Sequence, residues 1–238
     1  MLEGNILEQK DFVLTIRNNS PVIITVPHDG VLPKEYLRGM FEERVKDISR
    51  DMQIVRDMYV FPIVKDILLD VPVNVVYAML HRAYVDFNRS VDIGVGDERL
   101  KFVYDRYHEE IKKLILWCKE KYGYCLLLDF HGCADLTQEG LENVDIILGT
   151  NNRESVFSDV DVRFDEWMTK KGYRVLVSTD STFLGFGGYY VADYAKEFHI
   201  DAMLFEIVRR FRTKEREDIS KILAGDIAEF IHEHISSL

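Results

Sequence analysis

The chain has 238 residues, about half of them hydrophobic, which is enough for one sizeable core. Its 30 Lys and Arg against 41 Asp and Glu leave a formal charge of -11, which excludes bulk attraction to nucleic acid or anionic membranes. The three cysteines, Cys118, Cys125 and Cys133, are odd in number and form no CxxC or zinc-finger spacing, so they read as reduced thiols of a cytoplasmic protein.

The first residues, Met1-Leu2-Glu3-Gly4-Asn5, lack a basic region followed by an apolar run, so no signal peptide is expected. No stretch approaches the roughly 18 apolar residues of a membrane span. In chain order, residues 12–16 read as a short strand, and Asn18-Asn19-Ser20-Pro21 reads as a turn. Val22-Ile23-Ile24-Thr25-Val26 is a buried-strand run that ends in Pro27-His28-Asp29-Gly30. Residues 35–48 mix charge with scattered apolar positions and read as a helix or irregular cover. From Ile48 to Leu69 the spacing is helical, and Pro62 inside it requires a kink or a helix that begins nearby. Residues 73–77 give the next strand, and the polar stretch from Arg82 to Gly96 reads as loop. Asp97 is placed to cap a long helix over 98–121, with Val103, Tyr107, Ile111, Leu114, Ile115 and Cys118 at helical spacing and Gly123 as its stop.

Strand 124–130 follows, with Leu126-Leu127-Leu128 unbroken before Asp129-Phe130-His131-Gly132. Residues 144–149 form another strand, residues 155–171 a helix with Gly172 as its C′ residue, and residues 174–178 a strand. Thr179 to Tyr190 is glycine-rich. Residues 201–207 read as a strand, in competition with helical periodicity through 210, and a helix over 215–236 closes the chain. Strands alternating with helices define an α/β protein. The expectation is a single three-layer α/β/α domain over 1–238 with a central mixed, mostly parallel sheet.

Twice a buried strand delivers a histidine to a glycine-containing turn, at His28 and at His131. The carboxyl ends of the strands carry the chemistry of open α/β sheets. The two histidines are therefore the leading metal ligands, and zinc commonly adds one carboxylate and leaves a position for water. By spacing alone that carboxylate is Asp29, Asp51, Asp57 or Asp129, and Asp129 could instead orient a histidine from behind. Arg82, Asp86, Asn88 and Arg89 lie within eight residues after a strand. The arginine fork matches a substrate carboxylate, and an internal Arg–Asp pair is the competing use. Glu206 interrupts an apolar run, so it must be paired, protonated or functional, with Arg209 and Arg210 as alternative partners. Cys133 reads as a small apolar residue rather than a nucleophile. No GxGxxG, GxxxxGK[ST] or GxSxG occurs, which leaves a nucleotide cofactor and a serine elbow unsupported.

Pro27-His28-Asp29-Gly30, Asp57-Met58-Tyr59-Val60, Arg82 through Asn88-Arg89, Asp129-Phe130-His131-Gly132, Gly187-Gly188-Tyr189 and Phe205-Glu206-Ile207 with Arg209 occur in this order. Together they resemble the N-formylglutamate amidohydrolase family from about residue 20 to 212. The resemblance implies a phosphorylase/hydrolase-like fold, as in zinc carboxypeptidases, with one zinc or another divalent metal per chain. It makes His28, Asp57 and His131 the metal ligands, with Asp51 in reserve, and Glu206 the general base. Arg82, Asn88 and Arg89 become the clamp for a substrate carboxylate, and Gly187, Gly188 and Tyr189 the segment that closes over the substrate. The implied reaction is hydrolysis of the amide of an N-acyl amino acid such as N-formylglutamate, giving formate and the free amino acid. The alternatives are a carboxypeptidase-like or other N-acyl-amino-acid hydrolase, and a non-catalytic binder of acyl amino acids. The implied partner is a small carboxylate-bearing substrate. Asp29 and Gly132 stand where the family usually has Ser, and Asp180-Ser181-Thr182-Phe183 where it usually has Asn-x-Pro-Phe.

Overall fold

The computed structural model describes residues 12–31, 56–178 and 189–238. Among these, seven strands form one sheet: β1 (Val13–Ile16), β2 (Val22–Val26), β3 (Asn74–Ala78), β4 (Leu126–Cys133), β5 (Ile146–Gly149), β6 (Val175–Ser178) and β7 (Asp201–Val208). The spatial order is β1-β3-β2-β4-β7-β5-β6. β3, β2, β4 and β7 run parallel at the centre, β1 is antiparallel at one edge, and β5 lies antiparallel to β7 with β6 parallel to it. The helices are α1 (Val60–Asp70), α2 (Val91–Gly94), α3 (Lys101–Tyr122), α4 (Val160–Lys170), α5 (Tyr189–Phe198) and α6 (Glu217–Ser236).

Alternation along the strands divides the core between the two faces of the sheet. Val22, Ile24, Leu126, Leu128 and Phe130 pack with α1, α4 and α6, through Ile63, Phe164, Ile227 and their neighbours. Ile23 and Leu127 pack on the other side with α3 and α5, through Tyr107, Ile111, Tyr190 and Val191. This burial on both faces is why the central strands read as continuous apolar runs. Each fully buried Ile or Leu contributes about 2 kcal/mol.

Helix α1 begins at Val60, so Pro62 sits in its first turn, where no intrahelical N–H is needed. Its N-terminus is capped from a distance: Asp29 Oδ2 accepts from the Phe61 N–H at 2.8 Å. Asp97 caps the entry to α3 by accepting from the Arg99 N–H, and Gly123 ends α3 at φ 68°. β4 begins two residues later than the sequence suggests and runs to Cys133, so His131 lies within the ladder rather than after it. α4 is shorter than 155–171 because Ser155 and Ser158 are drawn into bonds with Ala202 and Asp201. β7 resolves the competition at 201–207 in favour of a strand. Helix α5 has no counterpart in the sequence expectation, although Tyr190, Val191, Tyr194 and Ala195 form a buried helical stripe. The expected cover at 35–48, the helical spacing over 48–55, Asp51, and the glycines at 185, 187 and 188 lie outside the described residues.

Candidate metal centre

Parallel pairing of β2 with β4 brings the two histidines to the same end of the sheet. Thr25 is the register partner of Asp129, so His28 emerges beside His131. Asp57 is tied to this end by a bond from its N–H to the His28 carbonyl at 3.0 Å. The chain also passes close at Gly30, where a Cβ would lie 2.4 Å from the Leu80 carbonyl oxygen.

All three side chains are buried. His28 Nδ1 lies 3.0 Å from His131 Nδ1, and Asp57 Oδ2 lies 3.4 Å and 3.2 Å from these two nitrogens. The opposite edges of the rings are committed elsewhere. His28 Nε2 is 2.8 Å from Asp86 Oδ1, and His131 Nε2 is 2.8 Å from Asp129 Oδ2. A carboxylate at Nε2 fixes the proton there in the neutral imidazole and leaves Nδ1 as a bare lone pair. In the neutral rings two such nitrogens and a carboxylate oxygen converge. Without an ion, a proton on His131 bridges the ring to Asp57: burial opposes that charge, but Asp129 and Asp57 raise the His131 pKa well above the ordinary value. Tetrahedral zinc at bonds of about 2.0–2.1 Å separates its ligands by about 3.3–3.4 Å, close to the spacings seen, so the donor set fits the ion in type and in span. His28, Asp57 and His131 are the cluster that could hold a metal among the described residues.

The charges support one another. Burial alone would raise the Asp57 acid, but His131 and His28 hold it well below the usual carboxylate range. Burial opposes charge on Asp129 too, and His131, Thr25 and Tyr190 keep it a carboxylate. Glu206 is the register partner of His131 on β7. It is buried, its Oε2 has no hydrogen-bond partner among the described residues, and burial pushes its acid up to about 7 despite the nearby His131 and Arg212. The alternative pairing of Glu206 with Arg209 or Arg210 is not formed: Arg210 instead bonds Asp145 and Val144.

The arginine cluster is used from within. Arg82 Nη2 donates to Asp86 Oδ2 at 2.7 Å, and Nη1 lies 3.7 Å from Asp57 Oδ1. Asn88 Nδ2 is 3.3 Å from His131 Nε2. Arg89 is exposed, and its carbonyl accepts from the Tyr104 hydroxyl. Tyr189 opens α5, and Gly187 and Gly188 lie outside the described residues. Asp29 is occupied by Arg56 and the first turn of α1. Burial pushes the Cys133 thiol up to about 12, which keeps it protonated at neutral pH. Sequence reasoning assigned Asp86 to an arginine and missed its bond to His28. It also missed Thr25 and Tyr190, which donate to Asp129 Oδ1 at 2.6 Å and 2.5 Å.

Fold and site together are those of an α/β protein with a buried His/Asp/His cluster fit for one metal ion at the ends of its central strands. The family model described as N-formylglutamate amidohydrolase matches residues 93–211, half of the chain, and the chain belongs to that family. The matched stretch contains His131 and Glu206, whereas His28, Asp57, Arg82, Asn88 and Arg89 precede it. Among solved structures, the N-formylglutamate amidohydrolase from Ralstonia eutropha JMP134 is similar with a TM-score of 0.69 at 14% identity, over 94% of this chain and 99% of that one. A gene product from Agrobacterium tumefaciens is similar with a TM-score of 0.71 at 14% identity, over 96% of each chain. A metallo-carboxypeptidase from Burkholderia cenocepacia aligns at a TM-score of 0.43 and 12% identity, over 94% of this chain and 61% of that one. Comparison with curated proteins gives no match. No helix among the described residues is long and apolar enough to cross a membrane.

Proposed function

We propose that the chain is a zinc-dependent amidohydrolase acting on the amide bond of a small N-acyl amino acid such as N-formylglutamate, with formate and the free amino acid as products. The observation that carries this reading is the convergence of His28 Nδ1, His131 Nδ1 and Asp57 Oδ2 next to a buried Glu206 whose Oε2 has no hydrogen-bond partner among the described residues. These three atoms would hold the ion. When bound, zinc supplies Lewis acidity that lowers the pKa of water and stabilises charge on an acyl oxygen.

The remaining steps belong to the protein. Glu206, poised near neutrality, takes a proton from the attacking water and passes it to the leaving nitrogen as the C–N bond breaks. Arg82 and Asn88, beside the centre, and the exposed Arg89 position the substrate carboxylate. Gly187, Gly188 and Tyr189 are assigned to substrate binding on the family resemblance alone. Family membership and the donor chemistry support this assignment. Glu206→Gln is expected to retain zinc and lose roughly 10²–10⁴-fold in turnover of N-formylglutamate. Turnover at the wild-type rate in that variant removes Glu206 as the base, and no turnover of any formylated or acetylated amino acid by the zinc-loaded wild type removes the reaction.

A further inference from the structure

Arg212 lies just after β7 and is buried. Its donors reach three separate segments. Nε donates to the Ile207 carbonyl at 2.8 Å, Nη1 to the Met58 carbonyl at 2.5 Å and Nη2 to the Cys133 carbonyl at 2.7 Å. Each acceptor is one or two residues beyond a group of the candidate centre: Ile207 follows Glu206, Met58 follows Asp57, and Cys133 is two residues after His131. One planar fork therefore joins the three segments, a task that the single point charge of lysine cannot reproduce. Asp57 and Glu206 supply the negative field that offsets burial of this cation.

The guanidinium has a matched seat. A Cβ at position 132 would lie 2.1 Å from Arg212 Cζ and 2.4 Å from Nε and Nη1. The end of a free arginine would swing aside, but this one is held at three carbonyls. Gly132 also donates its N–H to Asp57 Oδ2 at 3.3 Å, so a shift at 132 reaches a metal-ligand atom directly.

We propose that Arg212 is a positioning residue of the metal centre: it clamps the backbone behind Asp57, His131 and Glu206 into one frame, and Gly132 is the residue that makes room for it. This rests on the zinc reading of the site. The pair acts through the ligands, not on substrate.

The test is a double-mutant cycle of Arg212→Met and Gly132→Ala on the full chain. Zinc affinity is measured by chelator competition, the visible spectrum is recorded with cobalt in place of zinc, and thermal unfolding is followed without metal. Arg212→Met and Gly132→Ala should each weaken zinc binding about tenfold or more and shift the cobalt bands. Gly132→Ala should cost little further in the Arg212→Met background, where the added Cβ has space. Arg212→Lys should recover only part of the loss. Wild-type affinity and spectrum in folded Arg212→Met, or two fully additive losses, would overturn the proposal. If Arg212→Met does not fold, Gly132→Ala decides in its place: wild-type affinity and spectrum there overturn the clamp. Failure of the wild type itself to bind zinc or cobalt would overturn the reading of the centre, and the clamp with it.

Discussion

His28 and His131 present the same ring atom to the centre, yet they are held by different means. His131 lies inside β4, and its partner Asp129 is on the same strand, with Thr25 and Tyr190 donating to the second oxygen. That carboxylate is completely shielded from solvent. His28 follows the end of β2, and its partner Asp86 comes from a loop, is partly exposed, and is shared with Arg82 and the Asn88 N–H. The first arm is part of the sheet ladder, so its geometry is inseparable from the fold. The second arm meets the candidate substrate clamp, so its geometry can respond to what binds there.

Substitutions at the two carboxylates sharpen this contrast. Asp129→Ala would strand buried donors on Thr25, Tyr190 and His131. It should lower the unfolding free energy of the metal-free chain by about 4 kcal/mol and zinc affinity by up to about 100-fold, read by urea unfolding and chelator competition. A stability loss below about 1 kcal/mol would break the claim that this arm is built into the fold.

The layer behind the same arm gives the next effect. His108 on α3 accepts or donates at Tyr194 across 2.8 Å and packs at an angle against the rings of Tyr104, Tyr107 and Tyr190, with Lys112, Asp105 and Asp129 as its charged neighbours. Burial pushes its pKa down to about 4, helped by Lys112. The unfolded chain binds that proton near 6.5 and the folded chain does not. Stability is therefore complete above about pH 6.5 and falls by about 3 kcal/mol as the pH drops toward 4. His108→Phe should flatten that slope in pH-dependent unfolding, and an unchanged slope would show that folding does not depress the pKa of this histidine.

Asp86→Ala should have the smallest effect on stability, about 1 kcal/mol, because water can reach the groups it leaves. It should still weaken zinc binding by about tenfold and raise KM more than Asp129→Ala does, since it also removes the carboxylate that orients Arg82 Nη2. A rise in KM that matches between the two variants would erase the distinction between the arms.

The two arms also differ in how far the sequence reveals them. β2 and β4 are legible because burial on both faces writes them as unbroken apolar runs, and each run points at its histidine. Asp57 is not distinguishable by spacing from Asp29, Asp51 or Asp129. Only the family resemblance singles it out, and the N–H bond from Asp57 to the His28 carbonyl is the physical reason it arrives at the centre. Asp129 is readable as a supporting carboxylate because it shares a strand face with His131, two residues away. Asp86 is harder to read, because its nearest arginine in sequence offers a satisfying partner and the bond to His28 spans 58 residues. Helix α5 is obscured by the glycines before it, although its buried stripe was present in the letters. Arg212 gives no sequence signal. Its role exists only once three distant carbonyls have been brought together.

In the proposed centre His28, Asp57 and His131 form a site for one metal ion. Its most direct test is elemental analysis of untagged wild-type protein beside His28→Ala, each equilibrated with equimolar zinc and desalted. About one zinc per wild-type chain, absent from folded His28→Ala, is the predicted result. No zinc in the wild type, or the same zinc content in both, would contradict it.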